Sequence, residues 1–240
     1  GISYQDMILY KVHVRGYTRQ AKVAPKKRGT FAGLKEMIPY WKELGINAVE
    51  LMPAYEFMER STVEPGKAMI RQKHHKDKVN YWGYLPGFYF APKSAYCATK
   101  KPHKEFCDMV RAFHEAGIEC IMEMYFPADT APMKALYALW FWKKYYHVDG
   151  FHLLGDGVPG ELIERDPFLL VSKRCFPTFP DSRRRKTCWQ STTEGLCRIC
   201  AAFSRATMGM VAGAQFHIKR NTGNFGTINY MAMPGRFYPV

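Results

Sequence analysis

The chain has few acidic residues, no long apolar run and no regular cysteine pattern, and each shortage excludes a class of protein. Nothing in its 240 residues approaches the ~18 consecutive apolar positions of a membrane-spanning helix, so no membrane partner is expected. The seven cysteines are odd in number and irregularly spaced. That is unlike a disulfide framework and suits a reducing compartment, the cytoplasm. The N-terminus opens on a strand-like run without a signal-peptide pattern, as a segment from within a longer protein would. Acidic residues number 21 against 35 basic ones, giving a net charge of +14, an excess that ordinarily points toward nucleic acid. Its distribution argues otherwise. Residues 1–180 hold 26 basic and 19 acidic side chains, so half the excess lies in the last quarter of the chain. The run Arg183-Arg184-Arg185-Lys186 comes without an RNP, zinc-finger or helix-turn-helix pattern, and no nucleic-acid partner is expected. Cys197 and Cys200 form a lone C-x-x-C with no second pair at zinc-ligand spacing. No metal site and no cofactor are expected.

What is present is core material. Hydrophobic residues make up 47% of the chain, aromatics 15% and charged residues 23%, a globular composition. The length is that of one large domain or two small ones, slightly short of the ~250 residues of a complete (β/α)8 barrel. Apolar, β-branched runs over 7–14, 46–52, 118–126 and 151–154 read as buried strands. Between them, Thr30 is placed to cap a helix carrying Leu34, Met37, Ile38 and Trp41 and ending at Gly45. A second helix is expected over 102–116, ended by Gly117, and a third over 131–146. Residues 58–80 form a polar, basic excursion loop, followed by the aromatic segment Asn80-Tyr-Trp-Gly-Tyr-Leu-Pro-Gly-Phe-Tyr-Phe90. Four strands alternating with three helices imply a parallel sheet, whose strand C-terminal ends would line any active site.

Four segments resemble the α-amylase family of retaining α-glucan hydrolases and transferases, in particular its isoamylase, pullulanase and glycogen-debranching branch. They are Ile8-Leu-Tyr-Lys-Val-His-Val-Arg-Gly-Tyr-Thr18; Gly29-Thr-Phe-Ala-Gly-Leu34 through Leu44-Gly-Ile-Asn-Ala-Val-Glu-Leu-Met-Pro53; Asn80-Tyr-Trp-Gly-Tyr84 with Phe90-Ala-Pro-Lys93; and Tyr146-His-Val-Asp-Gly-Phe151. The resemblance implies an α/β fold, an incomplete (β/α)8 TIM barrel, with an α-glucan such as glycogen or starch as partner. It also implies paired carboxylates about 5–5.5 Å apart, one a nucleophile and the other a general acid. Here the family's strand-four Gly-Phe-Arg-Phe-Asp becomes Gly150-Phe-His-Leu-Leu154, with Leu154 at the nucleophile position. The strand-three Asp-Val-Val-Tyr-Asn-His becomes Glu123-Met-Tyr-Phe-Pro-Ala128. The strand-five acid segment matches Lys173-Arg-Cys-Phe-Pro-Thr-Phe179, with Pro177 at the Glu, and the final His-Asp pair falls on Pro234 and Gly235. A leucine offers no lone pair and a proline no proton, so the retaining mechanism is expected to be lost.

Two displaced carboxylates are the remaining catalytic candidates, Glu123 in strand three and Asp156 just past strand four. Their plainer readings are a structural counterpart of the family's Asp and a turn residue. Substrate-binding candidates are Tyr84, matching the family's sugar-stacking tyrosine, with Tyr81, Trp82 and Phe88 beside it. These aromatics either pack a pyranose face or fill the barrel rim. His152, in place of the family's Arg, either bonds a sugar or sits in the core.

The domains read as 1–186, the N-terminal part of the barrel, and 187–240, its degenerate remainder. Relatives continue near Arg-Phe-Leu-Lys-Gly-Asp. One coding of that string, shifted by one base, reads Ala-Phe-Ser-Arg-Ala-Thr, which is Ala202 through Thr207. A two-base shift of one coding of Gly-Phe-Thr-Leu-Tyr-Asp gives Phe-Tyr-Pro-Val and a stop, matching Phe237 through Val240. Residues 187–208 and 233–240 therefore read as frameshift products, and the chain as a truncated, disarmed relative of debranching enzymes.

Overall fold

The structure is a computed structural model. It describes residues 2, 6–59 and 80–170, together with the backbone of short strands at 175–177, 191–193 and 227–229. Five parallel strands form its central sheet: β1 (Leu9–Val12), β2 (Ala48–Leu51), β5 (Glu119–Tyr125), β6 (Gly150–Leu154) and β7 (Cys175–Pro177), in the order β1-β2-β5-β6-β7. Two antiparallel strands, β3 (Tyr55–Phe57) and β4 (Gly87–Pro92), make a separate ribbon after β2. A third pair, β8 (Ser191–Thr193) and β9 (Thr227–Asn229), is parallel. The excursion-loop reading at 60–79 lies outside the described residues, as do the tail readings apart from β8 and β9.

The crossover helices form where the sequence pattern places them, with one difference. The helix expected from Thr30 to Gly45 is two, α2 (Phe31–Lys35) and α3 (Ile38–Glu43). Pro39 lies in the first turn of α3, where its missing N–H is harmless. In the interior of one long helix its ring would strike the carbonyl four residues back. A single turn, α1 (Val14–Tyr17), follows β1, and Thr30 caps α2 by accepting from Gly33 N–H at 3.2 Å. Helix α4 (Pro102–Glu115) buries Phe106, Met109, Val110 and Phe113, a stripe of helical period. Glu105 in its first turn accepts backbone N–H groups from Ala32, Ala98 and Thr99, pinning α4 to the start of α2. Helix α5 (Pro132–Tyr146) ends on His147 in the left-handed region (φ 56°). Two short helices, α6 (Gly160–Arg165) and α7 (Pro167–Leu170), follow β6.

Side chains alternate across the strands, and the two faces differ in chemistry. Outward residues such as Val49, Leu51, Met122, Met124, Phe151 and Leu153 join the helices in one buried cluster. Edge-to-face contacts within it include Trp41 on Phe113 at 5.5 Å and Phe106 on Trp142 at 5.1 Å. The inward face is layered along the strands. Leu9, Ala48, Ile121 and Gly150 come first, then Lys11, Glu50, Glu123 and His152, and last His13, Met52, Tyr125 and Leu154 at the C-terminal rim. The register pairs Leu9 with Ala48, Lys11 with Glu50, Glu123 with His152 and Tyr125 with Leu154.

Candidate functional site

The middle layer brings four ionisable groups from four strands together in the sheet interior. Glu50, Glu123 and His152 are fully buried. Lys11 pairs with Glu123 and lies 3.3 Å from Glu50 Oε1. His152 Nδ1 is 2.8 Å from Glu50 Oε1 and 3.3 Å from Glu123 Oε1. Among the described residues two carboxylates and two cations balance, the condition under which charge persists out of water. Burial alone would lower the pKa of His152, but the Glu50 and Glu123 carboxylates outweigh it and raise it to about 9, so the ring is an imidazolium at neutral pH. Burial likewise opposes the Lys11 ammonium, and the same carboxylates reverse the effect and raise its pKa.

The cluster qualifies the expectation of no metal-ligand set, because donor atoms of Glu50, Glu123 and His152 all lie within 4.8 Å of one another. The Lys11 ammonium already sits against both carboxylates, and His152 carries its own proton. The positive charge that a divalent ion would bring is supplied from within the chain.

Above this layer stand the aromatic candidates, in three separate places. Tyr84 donates its hydroxyl to Glu123 Oε2 at 3.0 Å, and its ring centroid lies 6.3 Å from that of Tyr125. Burial, then the adjacent Glu123 charge, raises the Tyr84 pKa far above its ordinary value. Tyr81 and Trp82 gather instead around His13 at the end of β1. The Tyr81 ring stacks on the imidazole at 4.1 Å and 7°, and Trp82 meets it edge-on at 5.8 Å. Phe88 does not stand beside Tyr84. It lies on β4 opposite Glu56 and is 69% exposed, because strand alternation turns Phe88 and Phe90 outward and Tyr89 inward. The single aromatic wall expected from sequence is thus a half-buried floor, a side platform and an outward strand face.

The catalytic candidates also separate. Glu123 is sealed among Lys11, His152 and Tyr84, whereas Asp156 is exposed in the turn after β6. His152 occupies the interior, the plainer of its two readings. Leu154 closes β6, its carbonyl accepting from Phe126 N–H at 2.8 Å. The loops after β5 and β6 then lie backbone to backbone, with Gly157 N–H donating to Phe126 O at 2.9 Å. A Cβ at Gly155 (φ +91°) would collide with the Phe126 carbonyl, and one at Gly157 with that of Pro127. Strand β7 falls on the segment matched to strand five, with Leu153 opposite Pro177.

Sequence reading missed Lys11, Glu50 and His13. The signal was present: the apolar runs of the first four parallel strands are each interrupted by one Lys, Glu or His, in Leu-Tyr-Lys-Val, Ala-Val-Glu-Leu, Ile-Met-Glu-Met and Gly-Phe-His-Leu. Together they amount to two acids and two bases.

Among curated proteins the chain is similar to the glycogen operon protein GlgX homolog of Haemophilus influenzae, 38% identical over 128 residues that cover 51% of this chain and 18% of that protein. It is also 35% identical over 126 residues to the chloroplastic isoamylase 1 of Arabidopsis thaliana, covering 50% of this chain and 16% of the isoamylase. The chain is related to the debranching enzymes of the α-amylase family. It spans less than a fifth of the length of these relatives. No family model matches it. Among solved structures, the catalytic module of the glycogen-degrading pneumococcal virulence factor SpuA superposes with a TM-score of 0.63 at 16% identity, covering 94% of this chain and 43% of the module. The Group B Streptococcus pullulanase SAP gives 0.63 at 18% identity, covering 95% and 40%. These enzymes share its α/β architecture with a parallel sheet.

Proposed function

We propose that the chain is an α-glucan-binding relative of the debranching enzymes that does not hydrolyse glycosidic bonds, its parallel strands being the opening strands of a (β/α)8 barrel. The observation that carries this reading is Leu154. It ends β6 at the rim where the family's nucleophile would stand, between Tyr125 and a glycine-locked turn. Its side chain has no group that attacks an anomeric carbon. Glu123, the nearby carboxylate in the interior, is neutralised by Lys11 and His152 and serves as the acceptor for Tyr84 rather than as a free acid or base. Binding rests on Tyr84 as a floor and on Tyr81 and Trp82 as the side platform, Tyr81 being 36% exposed. His152 supports this surface from beneath and touches no sugar. The names of relatives and of structural neighbours point to glycogen and maltooligosaccharides as the class of ligand. The described cysteines, Cys97, Cys107 and Cys120, are free thiols, which fits a reducing cytoplasm.

The test is electrophoresis of the whole chain through gels with and without glycogen, alongside an assay for new reducing ends on glycogen and pullulan. Retarded migration that is lost in Trp82→Ala, with no reducing ends, is the expected result. Reducing ends that vanish in Asp156→Asn would overturn the non-hydrolytic half of the reading. Unretarded migration of the wild type would overturn the binding half.

A further inference from the structure

His13 follows directly on β1 and caps the single turn α1, and its ring is held at both nitrogens and on one face. Gly16 N–H donates to Nδ1 at 3.1 Å, which leaves the proton on Nε2. Nε2 donates to the Tyr81 carbonyl at 2.7 Å, and the Tyr96 hydroxyl lies 3.4 Å from the same nitrogen. The imidazole plane is stacked on the Tyr81 ring. The Tyr81 hydroxyl reaches over Gly16, whose missing side chain leaves it room. One histidine therefore bonds the backbone of residue 81, stacks on its ring and orients the turn beneath its hydroxyl.

We propose that neutral His13 is the positioning residue for the Tyr81–Trp82 platform and that protonating it releases the platform, making glucan affinity fall in acid. Its consequence for affinity rests on the binding reading above, whereas the conformational step does not. The chemistry follows from the donor count. In the imidazolium both nitrogens are donors, so Nδ1–H would face Gly16 N–H, and the capping bond becomes a repulsion.

Among the described residues the charged and titratable neighbours are few. Arg15 on α1 pairs with Glu59 and lies over the Tyr96 ring at 5.3 Å. Glu123 stands on β5, Lys93 reaches Glu59 at 3.7 Å and lies 5.8 Å from the Tyr96 ring centroid, and Tyr81 and Tyr96 are the remaining described neighbours. Burial, with Arg15 beside it, holds the pKa of His13 below the usual value despite Glu59 and Glu123, so the ring is neutral at physiological pH and gains its proton below pH 6.5.

The experiment follows the whole chain from about pH 7.5 to about pH 5, across the histidine range. Without glucan, nitrogen NMR reads the His13 ring, and the fluorescence difference between wild type and Trp82→Phe reads Trp82. With glycogen, gel retardation reads affinity. Expected are a neutral, Nε2-protonated ring at the upper pH and a Trp82 signal that moves to that of a solvated indole as His13 titrates. Affinity should drop about fivefold, as for the loss of one ordinary hydrogen bond. In His13→Gln, whose amide keeps a donor toward Tyr81 but does not titrate, both profiles should be flat. A Trp82 signal unchanged through the His13 titration would overturn the proposal. A Trp82 signal that follows His13 in a chain that binds no glycogen at any pH would uphold the switch and overturn only the glucan reading.

Discussion

The interior charged layer lies on four parallel strands and the aromatic rim on the loop leading into β4, and the two are built by opposite rules. In the layer, Glu50, Glu123 and His152 are fully buried and Lys11 nearly so, and each charge is met by an opposite one, Lys11 and His152 against Glu50 and Glu123. At the rim, Tyr81 and Trp82 keep exposed or half-exposed faces and depend on one neutral histidine. Among the described residues the interior charges are thus matched from within the chain, and the proposed recognition surface is the rim. Tyr84 joins the two, its ring beside Tyr125 and its hydroxyl on Glu123.

This contrast can be broken most forcefully from inside. Glu123→Leu leaves Lys11 and His152 sharing one carboxylate, and removal of one partner from a buried ionic group costs about 3–5 kcal/mol. Calorimetry should show Tm lower by ~10 °C. A loss under ~1 kcal/mol would mean that the layer is open to water. At the rim, Gly155→Ala forces a Cβ against the Phe126 carbonyl at a positive φ and should cost about 2 kcal/mol in denaturant melts. Raising the pH separates the regions without mutation. His152 keeps its proton in the fold up to about pH 9, while the unfolded ring loses it near 6.5. Its contribution is thus complete below pH 6.5 and disappears as pH rises through about 9, by up to ~1.4 kcal/mol per unit. His152→Gln should flatten that slope, and an equal slope in the variant would place its origin elsewhere. Tyr84→Phe removes one hydrogen bond to a charged acceptor, at about 1.5–3 kcal/mol. Its ring stays in place, so glycogen retardation should persist.

Most of the fold was legible because buried parallel strands are apolar and helices carry their own punctuation. The segment 118–126 became β5 (Glu119–Tyr125), and Gly117 and His147 end α4 and α5 where the pattern indicated. Pro39, which divides one expected helix into two, sits within an apolar period that by itself reads as a single helix. The ribbon of β3 and β4 was not legible, since pairing between residues 55–57 and 87–92 depends on partners distant in sequence. The site was legible as a list of residues and not as an arrangement. Tyr81, Trp82, Tyr84 and His152 were all named, but adjacency in sequence suggested one surface, whereas a turn at Gly83 sends Trp82 toward His13 and Tyr84 toward Glu123. His13 escaped notice because its role is read from three contacts, none of which is local except the bond to Gly16.

The charged layer also bears on the order in which the chain assembles. Its members arrive during synthesis as Lys11, Glu50, Glu123 and His152. The interior is neutral after the first two, carries an excess negative charge once β5 joins, and is neutral again only when β6 docks. A nascent chain ending between residues 123 and 152 would have to bury an unmatched carboxylate or leave β5 undocked. Docking of β6 is therefore the expected step that restores neutrality to the layer, the unmatched carboxylate being held protonated or in water until then.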